Sequence, residues 1–218
     1  MPLVNSLDDL FSQVTERRKN LLMQTASHRT RHFCMVLEDL FDPHNISAVI
    51  RTAEVFGLQE VCVIEEDNAY RVNKSILKGS FKWMTLNLYQ KRKTCMEQLK
   101  NKGYKIAVAS TNTQNSVLDL DLNQPTAFYL GSEFHGNHPD TLAAADYEFK
   151  LPQYGITESL NVSVAAGVLM TYLDVFMQKK GREHYALTKS EQEELLRIWL
   201  DRHLNGVEKY PPIVKITD

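Results

Sequence analysis

The chain has 218 residues, of which 43% are hydrophobic, and its formal net charge at pH 7 is −2. This composition suffices for one large domain with a full core, and the near-neutral charge gives no global signature of nucleic-acid binding. No apolar run reaches the roughly 18 residues of a membrane span, and Asp8 and Asp9 in the first apolar segment argue against a signal peptide. Cys34, Cys62 and Cys95 lack paired metal spacing, so we expect a cytosolic protein without disulfides or structural zinc.

The predicted elements begin with an amphipathic helix over residues 6 to about 24, in which Ser6 and Asp9 resemble a capping pair. After a basic connector, short apolar runs alternate with helices. Several runs have no polar alternation, which is typical of parallel strands buried on both faces. The predicted strands are Phe33 to Glu38, Glu60 to Ile64, Tyr104 to Ala109, Thr126 to Leu130 and Tyr147 to Leu151, and the helices between them span 45 to 56, 91 to 102 and 138 to 145.

The last third of the chain is predicted to be largely helical. From Val162 to Phe176 the apolar positions recur at helical spacing, and a basic turn at 179 to 180 leads to Gly181 as a stop. A final helix follows over residues 188 to 204. The order of elements therefore predicts a parallel-sheet α/β protein with helices added at both ends.

In open parallel sheets, ligands gather outside the carboxyl ends of the strands, so the loops there are candidate sites. The first runs from Asp42 to Ala53, with Asn45 at the start of a helix and Arg51 projecting off its apolar face. A purely structural interpretation makes Asn45 a helix cap and Arg51 a surface partner of Glu54, a pair worth only ~0.2–0.5 kcal/mol. The pattern alone leaves both interpretations open.

The second loop covers residues 129 to 139, where a strand ends in a glycine and a carboxylate before a helix that begins with proline. Gly131 and Gly136 allow close backbone approach or positive φ. His135 and His138 lack a third ligand of suitable spacing, so we expect no metal site.

The third loop, residues 153 to 161, carries small and hydroxylated side chains where a loop becomes a helix. Ser159, Leu160 and Asn161 lie at the turn, where the first amides of a helix have no internal partner and can hold a ligand. The structural alternative is a capped, buried helix whose small residues only permit close packing. Because the chain has no G-x-G pair, neither a dinucleotide fingerprint nor a Walker loop is present.

Together the three loops resemble the motifs of the SpoU branch of the knotted RNA methyltransferases, the SPOUT class, over about residues 29 to 176. Residues 43–52 match the first motif, residues 130–133 with Gly136 the second, and residues 159–165 the third. The resemblance implies a homodimeric α/β domain at 29–180, with a deep trefoil knot at its carboxyl end and helical extensions at 1–28 and 181–218. Physical reasoning would not have proposed the knot, since true knots are nearly absent from proteins.

Within this branch the chain resembles most the TrmH group, the tRNA guanosine-18 2′-O-methyltransferases. It has helical extensions at both ends and too few residues before the first motif for a separate RNA-binding domain. The resemblance therefore implies a cytoplasmic enzyme that transfers a methyl group from S-adenosylmethionine to guanosine 18 in the D-loop of tRNA.

The resemblance also assigns roles to individual residues. It gives the ribose hydroxyl to Arg51, which we expect to orient the hydroxyl and stabilise alkoxide charge, because a guanidinium with a pKa of ~12.5 is a poor base. Asn45, Ser159 and Asn161 would position the substrate and the arginine. The implied cofactor contacts are Ala109, Ser110, Thr111, Gly131, Glu133, Leu151, Ser159 and Leu160, and the implied RNA contacts are Arg29, Arg31, Lys74, Lys180 and Arg182.

Other functions stay open at this point. The enzyme class allows methylation of another tRNA position or of ribosomal RNA. A non-catalytic RNA-binding homologue would retain the fold without the cofactor pocket. An unrelated nucleotide-binding α/β enzyme is the third alternative, although its usual glycine fingerprints are missing.

Overall fold

A computed structural model of the chain describes residues 6–68, 79–206 and 213–217. Its centre is a seven-stranded sheet in the order β6-β4-β5-β1-β2-β3-β7, in which every pairing is parallel. The predicted parallel α/β architecture is thus confirmed. The strands are β1 (Phe33–Glu38), β2 (Glu60–Ile64), β3 (Thr85–Tyr89), β4 (Lys105–Ala109), β5 (Thr126–Leu130), β6 (Tyr147–Phe149) and β7 (Ile213–Ile216).

Helices cover both faces of the sheet. Within the described residues they are α1 (Leu7–Phe11), α2 (Glu16–Ser27), α3 (Pro43–Val55), α4 (Arg92–Asn101), α5 (Pro139–Ala143), α6 (Val162–Lys180) and α7 (Lys189–Asn205). The apolar faces of α3 and α6 belong to the core on one side of the sheet. The apolar residues of α4, with Leu142 of α5 packed beside them, belong to the core on the other side.

The central strand β1 shows why the sheet lies between two layers of helices. All six of its residues are buried. Successive side chains of a strand point to opposite faces, so Phe33, Met35 and Leu37 join the core under α3 and α6, and Cys34 and Val36 join the core under α4. A strand with apolar side chains at both alternations is stable only when both faces are covered.

The helices at the two ends of the chain pack together in a separate apolar cluster. The cluster contains Phe11 of α1, Leu22 of α2, and Trp199 and Leu200 of α7. The indole Nε1 of Trp199 donates to the carbonyl of Trp83 at 2.9 Å, which ties the cluster to the sheet.

The prediction of one helix over residues 6 to 24 was wrong. The segment forms two helices, and the turn between them ends at Thr15, whose hydroxyl accepts from the amide of Arg18 at 3.2 Å and so starts α2. Hydroxyl side chains compete for backbone groups in this way, which breaks a helix that apolar periodicity alone would continue. The capping pair of Ser6 and Asp9 is confirmed, and it caps α1.

Two strands escaped prediction. In β3, Asn87 interrupts the apolar pattern, but it is buried and its amide donates to the Glu60 carboxylate at 2.6 Å. The four residues of β7 form a sheet edge beside β3. Across the described ranges, no helix is both long enough and apolar enough to cross a bilayer.

Candidate active site

The carboxyl ends of β4, β5 and β6 bring three chain segments together. Ala109 is the last residue of β4, Gly131 follows β5, and Leu151 lies two residues beyond β6. The amide of Ser110 donates to the carbonyl of Phe149 at 2.9 Å, which joins the segments after β4 and β6. Of the backbone positions that were predicted to hold a cofactor, Ala109, Gly131 and Leu151 therefore lie at one edge of the sheet.

The second loop folds back on itself immediately after Gly131. Ser132 and Gly136 exchange two backbone hydrogen bonds of 3.0 and 2.9 Å. A Cβ on Gly131 would lie 2.1 Å from the carbonyl carbon of Gly136, and Gly136 itself has φ of 68°. Glycine is therefore required at both positions, as the sequence indicated.

Asn137 is a site residue that sequence reasoning missed. It is buried, and its Nδ2 donates to the carbonyl of Ala109 at 2.8 Å, so it connects the second loop to the end of β4. Its Oδ1 has no hydrogen-bond partner within the described residues. The sequence offered one signal, an asparagine directly after Gly136 in the second loop, but nothing there indicated its partner.

The three motifs meet in a chain of side-chain hydrogen bonds. Asn161 Nδ2 donates to Asn45 Oδ1 at 3.1 Å, and Asn45 Nδ2 donates to Glu133 Oε1 at 2.6 Å. The second carboxylate oxygen of Glu133 accepts from the backbone amide of Phe41 at 3.4 Å. We call Asn45, Glu133 and Asn161 the motif network. The cap of α3 is Asp42, whose side chain accepts from the His44 amide. The interpretation of Asn45 as that cap was therefore wrong.

Asn161 serves the network and its own helix together. Its Oδ1 accepts from the amides of Ser163 and Val164, at 2.9 and 3.4 Å, and so caps α6. Two of the amides that were expected to face a ligand are therefore already used. Ser159 and Leu160, just before the cap, are exposed.

Arg51 stands apart from the motif network within one chain. It lies six residues after Asn45, a rise of about 9 Å and a turn of about 240° along an α-helix. Its side chain is exposed and has no ion pair or hydrogen bond to the described residues. The proposed surface pair with Glu54 is absent, because Glu54 binds Arg29 instead, at 2.5 Å.

Two of the predicted RNA contacts bind other parts of the protein, and one of them, Arg29, is an interior residue. Arg29 is 1% exposed, and its guanidinium binds Glu54 and two backbone carbonyls and packs over Trp199. Burial lowers the pKa of Arg29, and the Glu54 carboxylate opposes that shift. Arg182 pairs with Asp174 and donates to the carbonyl of Phe56 at 2.8 Å. Both side chains hold helices together. The guanidinium of Arg29 is buried and does not meet a phosphate, so this prediction was wrong, whereas Arg182, with a side chain that is 17% exposed, stays a prediction.

The other predicted RNA contacts differ in their placement. Arg31 is partly exposed and pairs with Glu191 at 3.2 Å, and Lys180 is exposed in the last turn of α6. Lys74 lies outside the described residues.

A basic group between the terminal helices escaped prediction. Burial lowers the pKa of His203, and the positive charges of Arg18 and Lys82 lower it further. The three residues come from α2, the turn before β3 and α7. Arg18 lies in the local basic run of residues 17–19, but the three residues are far apart in the sequence, so no local pattern indicated that they meet.

A cavity of about 210 Å³ lies beside the second loop, lined in part by Glu38, Asp39 and Arg92. Glu38 accepts from the hydroxyl of Thr141 at 2.7 Å and pairs with Arg92 at 3.2 Å. Burial raises the pKa of Glu38, and the contacts to Thr141 and Arg92 oppose that rise. Asp39, with φ of 51°, also pairs with Arg92, so these ion pairs brace the end of β1.

His138 has a structural contact at the start of α5. Its ring nitrogen accepts from the amide of Asp140 at 3.1 Å and so caps α5. In the part of the chain that the structure describes, no three His, Cys, Asp or Glu side chains converge as metal ligands would.

The family model of the SpoU rRNA methylases matches residues 32–171. The chain belongs to the SpoU methylase family. It is 36% identical over 183 residues to the tRNA (guanosine(18)-2′-O)-methyltransferase of Borreliella burgdorferi, covering 84% of each chain. The family that the sequence motifs indicated is thereby confirmed.

Solved structures of the family share the fold. The TrmH/SpoU tRNA modifying enzyme of A. aeolicus superposes with a TM-score of 0.78 at 25% identity, over 87% of this chain and 98% of that chain. The SpoU methyltransferase AviRb of Streptomyces viridochromogenes, solved with S-adenosylmethionine, superposes with a TM-score of 0.63 at 21% identity, over 70% of this chain and 63% of that one. At this identity, the similarity to AviRb shows only that the two proteins share a fold.

Proposed function

We propose that this protein transfers a methyl group from S-adenosylmethionine to the ribose 2′-oxygen of guanosine 18 in the D-loop of tRNA. The motif network carries the proposal, because it joins residues from all three family motifs at the carboxyl edge of the sheet. The name of the Borreliella relative supports guanosine 18 as the target.

The residues at this edge fit the cofactor. The second loop folds back so tightly that a Cβ at Gly131 has no room, and Asn137 fixes the end of β4, so backbone groups at 109–111 and at Gly131 are held rigidly where a ligand can approach them. We propose that Leu151 and Leu160 cover the apolar parts of the cofactor, and that Ser110, Thr111, Glu133 and Ser159 border its polar parts. When bound, S-adenosylmethionine supplies an electrophilic methyl group.

The chain's own residues then prepare the hydroxyl. Arg51 orients the 2′-hydroxyl and stabilises the alkoxide that develops as its proton leaves, since a guanidinium stays charged and donates hydrogen bonds only. A substrate phosphate or solvent accepts the proton. Asn45, Asn161 and Ser159 position the ribose, and the bond from Asn45 to Glu133 fixes the orientation of the Asn45 amide.

We propose that the working unit is a homodimer. Val164, Val168 and Val175 of α6 are exposed and lie within about 40° of one another around the helix at 100° per residue, so they form an apolar stripe without a partner in the described residues. A second copy would cover this stripe. It would also complete the site, since Arg51 stands apart from the motif network of its own chain.

Further parts of the proposal concern topology, location and RNA binding. We propose that the domain contains the trefoil knot of the SPOUT class and works in the cytoplasm, where its tRNA substrate is. Exposed Lys180 and partly exposed Arg31 are proposed phosphate contacts, and Lys74 stays a prediction. Arg18 and Lys82, the two charged residues beside His203, add positive charge near the terminal helices.

Methyl mapping tests the proposal directly. Unmodified tRNA is incubated with methyl-labelled S-adenosylmethionine and the wild-type protein, and the modified nucleotide is located by nuclease digestion and mass spectrometry. We expect one 2′-O-methyl group at guanosine 18. A methyl group elsewhere in tRNA or in ribosomal RNA would preserve the enzyme class and refute the substrate, and cofactor binding without transfer to any RNA would indicate a non-catalytic homologue.

An arginine variant tests the mechanism in the same assay. Arg51→Ala should reduce turnover by about 10²–10³, the usual loss when one positioned donor disappears from a transition state, and leave the thermal midpoint unchanged because the side chain is exposed. Arg51→Lys should restore little, since the planar donor fork is lost. Lys93→Ala is the matched control, because Lys93 is 83% exposed on α4 at the other face of the sheet. Wild-type turnover by Arg51→Ala would remove Arg51 from the mechanism.

A further inference from the structure

Two exposed phenylalanines form a pair beside the motif network. Phe41 is 54% exposed and Phe134 is 78% exposed, and their rings are 5.9 Å apart at an angle of 86°. Such an edge-to-face pair leaves one ring face open to solvent. Large apolar side chains with this exposure, placed together at the edge of a site, are typical of a surface that binds a ligand.

The backbone connects this pair to the motif network. Phe134 follows Glu133 in the chain, and the amide of Phe41 donates to the same carboxylate that holds Asn45. The position of both rings therefore depends on the residue that orients Asn45. Phe41 also directly precedes Asp42, the cap of α3, so its backbone is fixed at the start of that helix.

We propose that Phe41 and Phe134 form a stacking platform for the base of the nucleotide whose ribose is methylated, an inference that rests on the proposed function. A 2′-hydroxyl can reach the network only if its nucleotide leaves the stacked loop, and an unstacked base exposes an apolar face. Aromatic side chains bind such faces, and the open ring of this pair offers one next to the groups proposed to position the ribose.

The chemistry of the platform sets its selectivity. Ring stacking tolerates any base, and a purine covers more of a phenyl ring than a pyrimidine does. The platform therefore binds any unstacked base and favours a purine, while the location of that base in the tRNA depends on the rest of the RNA surface.

An abasic substrate tests the proposal. Methyl transfer is measured under single-turnover conditions on two tRNAs, one intact and one that carries a ribose without its base at position 18. On intact tRNA, Phe134→Ala should lower the single-turnover rate at subsaturating protein by about 10–100-fold, the range of one lost base stack, and Phe134→Tyr should retain most of the activity. On the abasic tRNA, wild type and Phe134→Ala should be equally slow, because no base remains to stack.

Controls separate the platform from other roles of the rings. Leu118→Ala removes an apolar side chain of 57% exposure outside the site and should leave both tRNAs unaffected. The affinity for S-adenosylmethionine and the sedimentation coefficient of Phe134→Ala should match wild type. An equal loss on both tRNAs, or dissociation of a dimer by Phe134→Ala, would overturn the platform and place the rings against another part of the RNA or a second copy of the chain. If wild-type protein methylates no RNA at all, the proposed function fails first.

Discussion

Asn161 offers the sharpest test of the site, because one side chain performs two separable tasks. Its Oδ1 caps α6 by accepting from the amides of Ser163 and Val164, and its Nδ2 donates to Asn45 at 3.1 Å. Asn161→Ala removes both tasks. Asn161→Asp retains the capping acceptor, since aspartate caps helices as well as asparagine does and its charge suits a helix N-terminus, but it removes the donor to Asn45.

The two variants should therefore differ in stability. Loss of a cap costs typically ~1 kcal/mol, and loss of one hydrogen bond costs ~0.5–1.5 kcal/mol, so Asn161→Ala should destabilise by about 2 kcal/mol. For a chain of this size that corresponds to roughly 4–8 °C in the thermal midpoint. Asn161→Asp should stay within about 1 kcal/mol of wild type, because the cap remains and only the bond to Asn45 is lost.

Activity should not distinguish the two variants, because both remove the donor to Asn45. With aspartate at position 161, a carboxylate oxygen would face the Oδ1 of Asn45, so Asn45 must shift. A misplacement of about 1 Å in a positioning residue can cost about 10²-fold in rate, so both variants should lose methyl transfer to that extent. The measurements are urea midpoints and single-turnover methyl transfer. Wild-type turnover by Asn161→Asp, or wild-type stability of Asn161→Ala, would refute the assigned roles.

Three further predictions follow from the packing. Val168→Arg should give a monomer in sedimentation velocity at micromolar concentration and lose turnover, whereas Leu118→Arg should stay dimeric and active; a dimeric Val168→Arg would place the interface elsewhere. Arg29→Ala should destabilise by about 3 kcal/mol, the low end for a broken buried pair because the remaining carboxylate is 22% exposed, and should leave the salt dependence of tRNA affinity unchanged. A salt slope reduced by one unit would restore Arg29 as a phosphate contact. Burial holds the pKa of His32 below 6.5, and the hydrogen bond to the carbonyl of Leu122 opposes that shift. The unfolded chain therefore binds the proton at a higher pH than the folded chain does, so stability should fall as the pH drops below 6.5. His32→Gln should reduce the fall of the urea midpoint between pH 7.5 and 5.5, and an unchanged fall would contradict this.

The sequence by itself determined the buried strands and the candidate motifs. The strands β1, β2 and β5 match their predicted bounds, because unbroken apolar runs bounded by turn residues can only lie inside a covered sheet. Gly131 was identified because a strand that ends in glycine before a carboxylate signals close backbone approach. Periodicity, caps and glycine positions depend on neighbours within a few residues, so a single sequence is enough to predict them.

Only the tertiary structure decided which distant side chains meet and which charges are buried. Asn45 and Glu133 are 88 residues apart, and nothing local indicated that an apparent helix cap would bind a carboxylate across the site. Arg29 belongs to a basic run that is typical of a solvated RNA-binding surface, but folding packs it over Trp199 and against Glu54. Distant segments come into contact, and their charges lose water, only when helices and strands pack. No local pattern of residues therefore predicts these contacts.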